Sequence, residues 1–124
     1  MLDEVREATA DTIVCVARSH ASPENPLRRD GRLSAVNLCE YGAQAMAVHG
    51  GMAAQAAGLQ PPSGWLAALR DVRLNVAHVE AEGEIKVRAR RLAESDAVWQ
   101  YEFAVTQAGH LLASGRATVM LKRV

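Results

Sequence analysis

The chain has 124 residues, with 14 Lys and Arg against 14 Asp and Glu, so its formal net charge is zero. That length suits one domain over residues 1–124 with a real core, and the balance leaves no bulk field for nucleic acid or an anionic membrane. Two cysteines, Cys15 and Cys39, make no metal-ligand spacing and are too few for a secreted disulfide scaffold, which points to reduced, packed thiols.

In chain order, residues 3–7 read as a short strand. A turn follows near 8–11, and residues 12–18, with Ile13, Val14 and Val16, read as a second strand. Residues 19–32 (SHASPENPLRRDGR) hold two prolines, an asparagine and a glycine and read as loop. A loop of that length in a compact domain is usually functional or disordered. It carries His20 at its entrance and Arg28, Arg29 and Arg32 near its exit.

Residues 31–58 are the one stretch that reads as a long helix. Ser34 is its candidate N-cap, Gly50–Gly51 weaken its later half, and Gly58 with Pro61 and Pro62 closes it. The segment is almost entirely small and apolar, which suits a helix wrapped closely in a core. Its single carboxylate, Glu40, must there be paired, protonated or employed. From residue 65 the pattern switches to period two. Leu66, Ala68, Val72, Leu74 and Val76 are placed on one side of a strand over 65–79, and Ile85, Val87 and Ala89 alternate with Lys86, Arg88 and Arg90. Trp99, Tyr101, Phe103 and Val105 form a third alternating set, and a last strand covers about 111–121. Turns at 81–83, 94–97 and 108–109 suit antiparallel hairpins. No apolar run reaches the roughly 20 residues of a membrane span, and no signal-peptide pattern opens the chain. A soluble, cytoplasmic protein without membrane insertion is expected.

Two strands, a long loop, one buried helix and four long antiparallel strands satisfy every apolar face when one sheet curls around the helix. The predicted class is α+β, with the hotdog architecture. Such a sheet leaves edges open, so pairing into a homo-oligomer, at least a dimer, is the expected way to cover one.

Several motifs carry a family likeness. The helix segment Glu40-Tyr-Gly-Ala-Gln44-Ala-Met-Ala resembles the E-A-M-A-Q helix of the β-hydroxyacyl-carrier-protein dehydratases, with Glu40 and Gln44 in register. His20 follows a strand and precedes a proline-bearing loop, as that family's catalytic histidine does. Leu2-Asp3-Glu4-Val5 resembles the family's opening strand, the segment from Gly64 to Leu74 its strand after the helix, and Leu112-Ala-Ser-Gly-Arg-Ala117 its last strand. The likeness runs in order through nearly the whole chain. It is nearest to the branch associated with aryl-polyene-type lipid biosynthesis, through N-P-L-R-R-D-G-R-L between histidine and glutamate. The sequence departs from the family in lacking its H-F-P-G loop. Ser34–Ala35 stands where the family has Pro-Gly, and the chain begins at the strand without the usual upstream Pro-His segment.

The resemblance implies a catalytic pair of His20 and Glu40, drawn from opposite subunits, acting on an acyl carrier protein thioester. It also implies that the Ala35 amide meets the thioester carbonyl. Dehydration needs a base for an α-proton and an acid for the departing hydroxide. A neutral imidazole and a protonated carboxyl supply both, with no metal or organic cofactor. Each acid–base contribution is worth about 10²–10⁴ in rate. Gln44, one turn from Glu40, is placed to hold its carboxyl or to hydrogen-bond across an interface. Arg28, Arg29 and Arg32 form either a solvated loop or a landing site for the acidic carrier protein and its pantetheine phosphate. Blander readings stand beside these. A glutamate near a helix start also simply favours the dipole or pairs with an arginine, and a loop histidine is often idle. His49 and His78 read as packed or surface residues, and Cys39 has no nearby base to make it a nucleophile. Two other activities fit the same fold, a thioesterase and a non-catalytic acyl-binding or assembly subunit.

Overall fold

The computed structural model describes residues 2–18, 28–29, 32–34, 37–56, 58, 63–79, 83–95 and 97–122. A six-stranded antiparallel sheet is laid across one helix, α1 (Leu38–Ala56). Its strands are β1 (Glu4–Ala8), β2 (Thr12–Ala17), β5 (Ser63–Leu74), β7 (Ile85–Glu94), β8 (Val98–Gln107) and β9 (His110–Lys122), in the order β1-β2-β7-β8-β9-β5. Two short strands in the predicted loop region, β3 (Arg28–Arg29) and β4 (Arg32–Ser34), join β6 (His78–Val79) in a second sheet, ordered β3-β4-β6. One helix wrapped by an antiparallel sheet is the hotdog arrangement expected of the sequence.

Alternation decides which face meets the helix. Ile13 and Cys15 of β2, Val87 and Ala89 of β7, Tyr101, Phe103 and Val105 of β8 and Ala113 and Ala117 of β9 are buried against Leu38, Tyr41, Ala45 and Met46 of α1. The helix approaches closely because its facing residues are small. A methyl group on Gly42 would lie 2.9 Å from ring carbons of Phe103, and one on Gly50 would collide with the ring of Trp99. Across the sheet, a methyl on Gly115 would lie 3.0 Å from the Phe103 ring. Gly51 instead faces open space.

Turn chemistry matches the register. Ala108 and Gly109 both take positive φ (51° and 80°) between Gln107 and its partner His110, the geometry of a two-residue hairpin turn whose twist suits its strands. Gly58 closes α1 at φ 70°, its amide bonding to the Gln55 carbonyl at 3.0 Å, as left-handed caps do. In the β1–β2 turn the Thr9 hydroxyl accepts from the Asp11 and Thr12 amides, at 3.3 and 3.0 Å. The Thr9 carbonyl is met from below by buried His49, whose Nε2 lies 2.9 Å away. A carbonyl only accepts, so Nε2 carries the proton and donates. Nδ1, 2.7 Å from the Tyr101 hydroxyl, therefore accepts from Tyr101. Of the two readings the sequence left open for His49, packed or surface, the structure shows the packed one, and the side chain ties helix, sheet and turn together. Arg91 braces the same corner, donating to the Ala10 carbonyl at 3.0 Å and lying over the Trp99 ring at 5.3 Å.

The structure corrects three expectations. The helix begins at Leu38 rather than 31, and Ser34 is no N-cap, because it lies in β4 opposite His78. The predicted strand over 65–79 is two strands, since the chain leaves the large sheet after Leu74 and β6 pairs with β4 instead. Bulges between Leu66 and Ala68 and between Arg70 and Arg73 also break the period of two in β5. Leu66 and Leu69, paired with Val119 and Ala117, therefore share the helix-side face with Val72, while Ala68, opposite Thr118, turns outward.

Gly50→Ala is expected to lower stability by about 1–3 kcal/mol through overpacking against Trp99. Gly51→Ala should raise it by about 1 kcal/mol through helix propensity alone; urea denaturation of the two variants reads the opposite signs. Burial pushes the Tyr101 hydroxyl up to about 12, with Arg91 pulling in the opposite direction. A group raised on folding stabilises fully below its unfolded value and loses that contribution as pH climbs through its folded value. Stability tied to Tyr101 is therefore expected to hold to about pH 10 and to fall between there and about pH 12. Tyr101→Phe should flatten that alkaline slope, while costing about 1–3 kcal/mol at neutral pH by leaving His49 Nδ1 without its donor.

Candidate active site

Four features converge on one end of the molecule. Ala17, the last residue of β2, pairs with Ile85, which pairs with Gln107 beside the β8–β9 turn. Leu74, the last residue of β5, pairs with Ala113 of β9 near the same turn. The helix points its N-terminus the same way, since Gly42 packs on Phe103 whereas Gly50 packs farther back, on Trp99. Finally β4, which leads toward α1, pairs with β6, which follows β5. Glu40 therefore sits in the first turn of α1 at the end where β2 leaves the sheet and β5 terminates.

The chain is anchored firmly where it leaves β2. The Arg18 amide donates to the Asp3 carboxylate, and the Asp3 amide donates to the Val16 carbonyl at 2.8 Å. The Arg18 guanidinium donates to Glu4 at 2.6 Å and to Glu84 at 3.2 Å, and Arg6 donates to Glu84 at 2.6 Å. These guanidiniums hold the Glu4 and Glu84 carboxyls below their ordinary range, through Arg18 first for Glu4 and Arg6 first for Glu84. All are exposed, so the network fixes geometry more than it adds stability. The Leu2 amide donates to Gln44 Oε1 at 3.2 Å. Half-buried Gln44 thereby ties the start of the chain to the helix one turn beyond Glu40.

His20 lies outside the described residues, as does Ala35. His20 follows Arg18 by two positions, so its chain departs from the anchored corner. Arg28, Arg29 and Arg32 belong to β3 and β4, a small hairpin rather than an open loop, and their side chains lie outside the described part. Glu40 itself is exposed in the single chain, whereas the sequence places it in a desolvated core. Its neighbour Cys39 is half-buried, and burial, then the charge of Glu40, pushes its thiol up. A thiol so raised is a poor nucleophile at neutral pH. Among the described residues no three His, Cys, Asp or Glu side chains gather as metal ligands, and no helix is long and apolar enough to cross a membrane.

Sequence reasoning missed the state of β5. The helix packs across β2, β7, β8 and β9, which leaves the helix-side face of β5 bare. Leu66, Leu69, Val72 and Leu74 remain 37–40% exposed there, on a strand whose outer edge has no partner among the described residues. The period-two reading set Leu66, Val72 and Leu74 on one side, and the bulges hid only that Leu69, not Ala68, joins them.

Comparison with known structures agrees with this geometry. The dehydratase heterocomplex ApeI:P from Xenorhabdus doucetiae matches with a TM-score of 0.89 at 20% identity, over 98% of this chain and 82% of that one. AziG from S. sahachiroi matches with a TM-score of 0.72 at 13% identity, over 99% and 92%. Thioesterase superfamily member 2 from Mus musculus matches with a TM-score of 0.67 at 17% identity, over 96% and 81%. At these identities the likeness is one of fold. No curated protein matches the chain. A sequence-family model does: the ApeP-like model, described as ApeP dehydratase, matches residues 1–123. The chain belongs to the ApeP-like family of hotdog dehydratases.

Proposed function

We propose that the protein dehydrates β-hydroxyacyl thioesters borne on an acyl carrier protein to trans-2-enoyl thioesters in the cytoplasm, in fatty acid or polyene-type lipid synthesis. The observation that carries this reading is the convergence of Glu40, the exit of β2 toward His20 and the bare end of β5 at one end of a chain of dehydratase family. His20, neutral, takes the α-proton. The electron pair left on the α-carbon forms the new double bond as the β C–O bond breaks. Glu40, protonated, gives its proton to the departing hydroxide, which leaves as water. The Ala35 amide, near the helix N-terminus, receives the thioester carbonyl. No cofactor or metal takes part. Arg28, Arg29 and Arg32 supply cations for the carrier protein and its phosphate.

A second protomer completes the site. Glu40 stays protonated at neutral pH only if it is desolvated, and one chain leaves it exposed. An edge strand with an uncovered apolar row calls for a partner strand, and β5 ends beside the first turn of α1. A homodimer joined along β5 therefore buries Leu66, Leu69, Val72 and Leu74 and closes over Glu40. His20 then comes from the opposite subunit. The likeness to a structure titled as a heterocomplex favours a second reading, a non-catalytic acyl-binding or assembly subunit paired with an active homologue.

A β-hydroxyacyl-carrier-protein thioester incubated with the protein alone should yield enoyl product by mass spectrometry. His20→Ala and Glu40→Gln should each cut the rate by about 10²–10⁴. Free thiol in place of enoyl product would mean hydrolysis, and no turnover until a homologue is added would establish the assembly subunit. Leu69→Arg is expected to convert the dimer to monomer by sedimentation and to abolish turnover at once. A stable, active monomer would remove the shared site.

A further inference from the structure

The part of the sheet's outer face that runs over β5, β7, β8 and β9 carries an excess of positive charge. Arg90, Glu102, Arg116 and Arg70 stand directly opposite one another across β7, β8, β9 and β5, and the adjacent row runs from Arg88 through Ala104 and Ser114 to Arg73. Over β5, β7, β8 and β9, with Lys86 opposite Thr106, this face sets six cations against two carboxylates, Glu102 and Asp71; Glu4 and Glu7 share the face farther out on β1, opposite Val16 and Val14, where Arg18 and Arg6 engage Glu4. Neutralisation within the face is slight. Glu102 meets Arg90 only at 3.7 Å, and no ion pair engages Arg70, Arg73, Arg88 or Arg116 among the described residues. Asp71 occupies the bulge in β5 at φ 53°, a left-handed conformation that few side chains adopt. It borders a depression of about 290 Å³ lined by Arg88, Arg90, Arg116, Glu102 and Ser114.

We infer that this face docks an acidic protein surface, a helix presenting carboxylates along one side. Spacing supports a helix. Strands about 4.8 Å apart place Arg90 and Arg116 about 10 Å from each other, the rise between residues seven apart on a helix at 1.5 Å per residue. Breadth argues against a small anion, because the cations spread over three strands, β5, β7 and β9, while the depression itself holds two carboxylates. Exposed, unpaired arginines also bind carboxylates without first breaking an internal pair. The surface lies on the opposite side of the sheet from Glu40, so it tethers a partner without using His20 or Glu40 and stands whether or not the chain is a dehydratase.

Two labelled helical peptides of one composition test it by fluorescence anisotropy, one with glutamates every three to four residues on a single face, the other with them spread around the helix. The single-faced peptide should bind about tenfold tighter, and added salt should weaken it. Arg88→Ser with Arg116→Ser should lose about tenfold in affinity with an unchanged melting temperature. Asp71→Asn, which keeps a residue tolerant of the left-handed bulge, should tighten binding about two- to threefold. Equal affinity for the two peptides, indifference to the double substitution, or displacement by equimolar pyrophosphate would each overturn the assignment, the last in favour of a small-anion site.

Discussion

The close approach of α1 to the sheet governs the rest of this molecule. Gly42 and Gly50 let the helix lie directly on the rings of Phe103 and Trp99, and those rings stand on β8, near the middle of the sheet. A helix seated there spans β2, β7, β8 and β9 and has no width left for β5. Dense packing at the centre thus creates the uncovered row at the edge. In a fold with a single helix, the strand farthest from it keeps its apolar face exposed. The glycines that make the core compact and the leucines that make it incomplete are two results of the same placement.

How much of this was legible in the sequence followed from how local each signal was. The period-two runs from 85 to 107 hold because β7 and β8 are paired on both sides, and most of their inward residues are buried. The helix was visible from its small apolar run and Glu40, but its start was set seven residues early, because the chain from Arg32 to Ser34 forms a strand between β3 and β6, and β6 lies more than forty residues away. No local pattern announces a pairing at that distance. The β5 error has a similar origin. A bulge adds a residue with no change in composition, so Ala68 was read on the face that Leu69 occupies. His49 was read as either packed or surface, and its bonds to Thr9 and Tyr101, again far apart in the chain, were not foreseeable.

For the site, the sequence supplied identities and the fold supplied location. Glu40 and Gln44 were singled out for their positions on one helix, and they do share a helical face near the start of the chain. The desolvated setting expected of Glu40 is not found in the single chain, which leaves that side chain exposed.

The bond from His49 to the Thr9 carbonyl has a bearing on how the protein opens. A turn at the sheet's outer edge is ordinarily among the first segments to expose its amides, since little but local bonding restrains it. Here the turn is fastened through a buried imidazole to the middle of α1 and to Tyr101 on β8. Releasing it leaves the His49 Nε2–H without its acceptor in the core. Slow solvent exchange should therefore extend to this corner, which the helix and the centre of the sheet hold from inside.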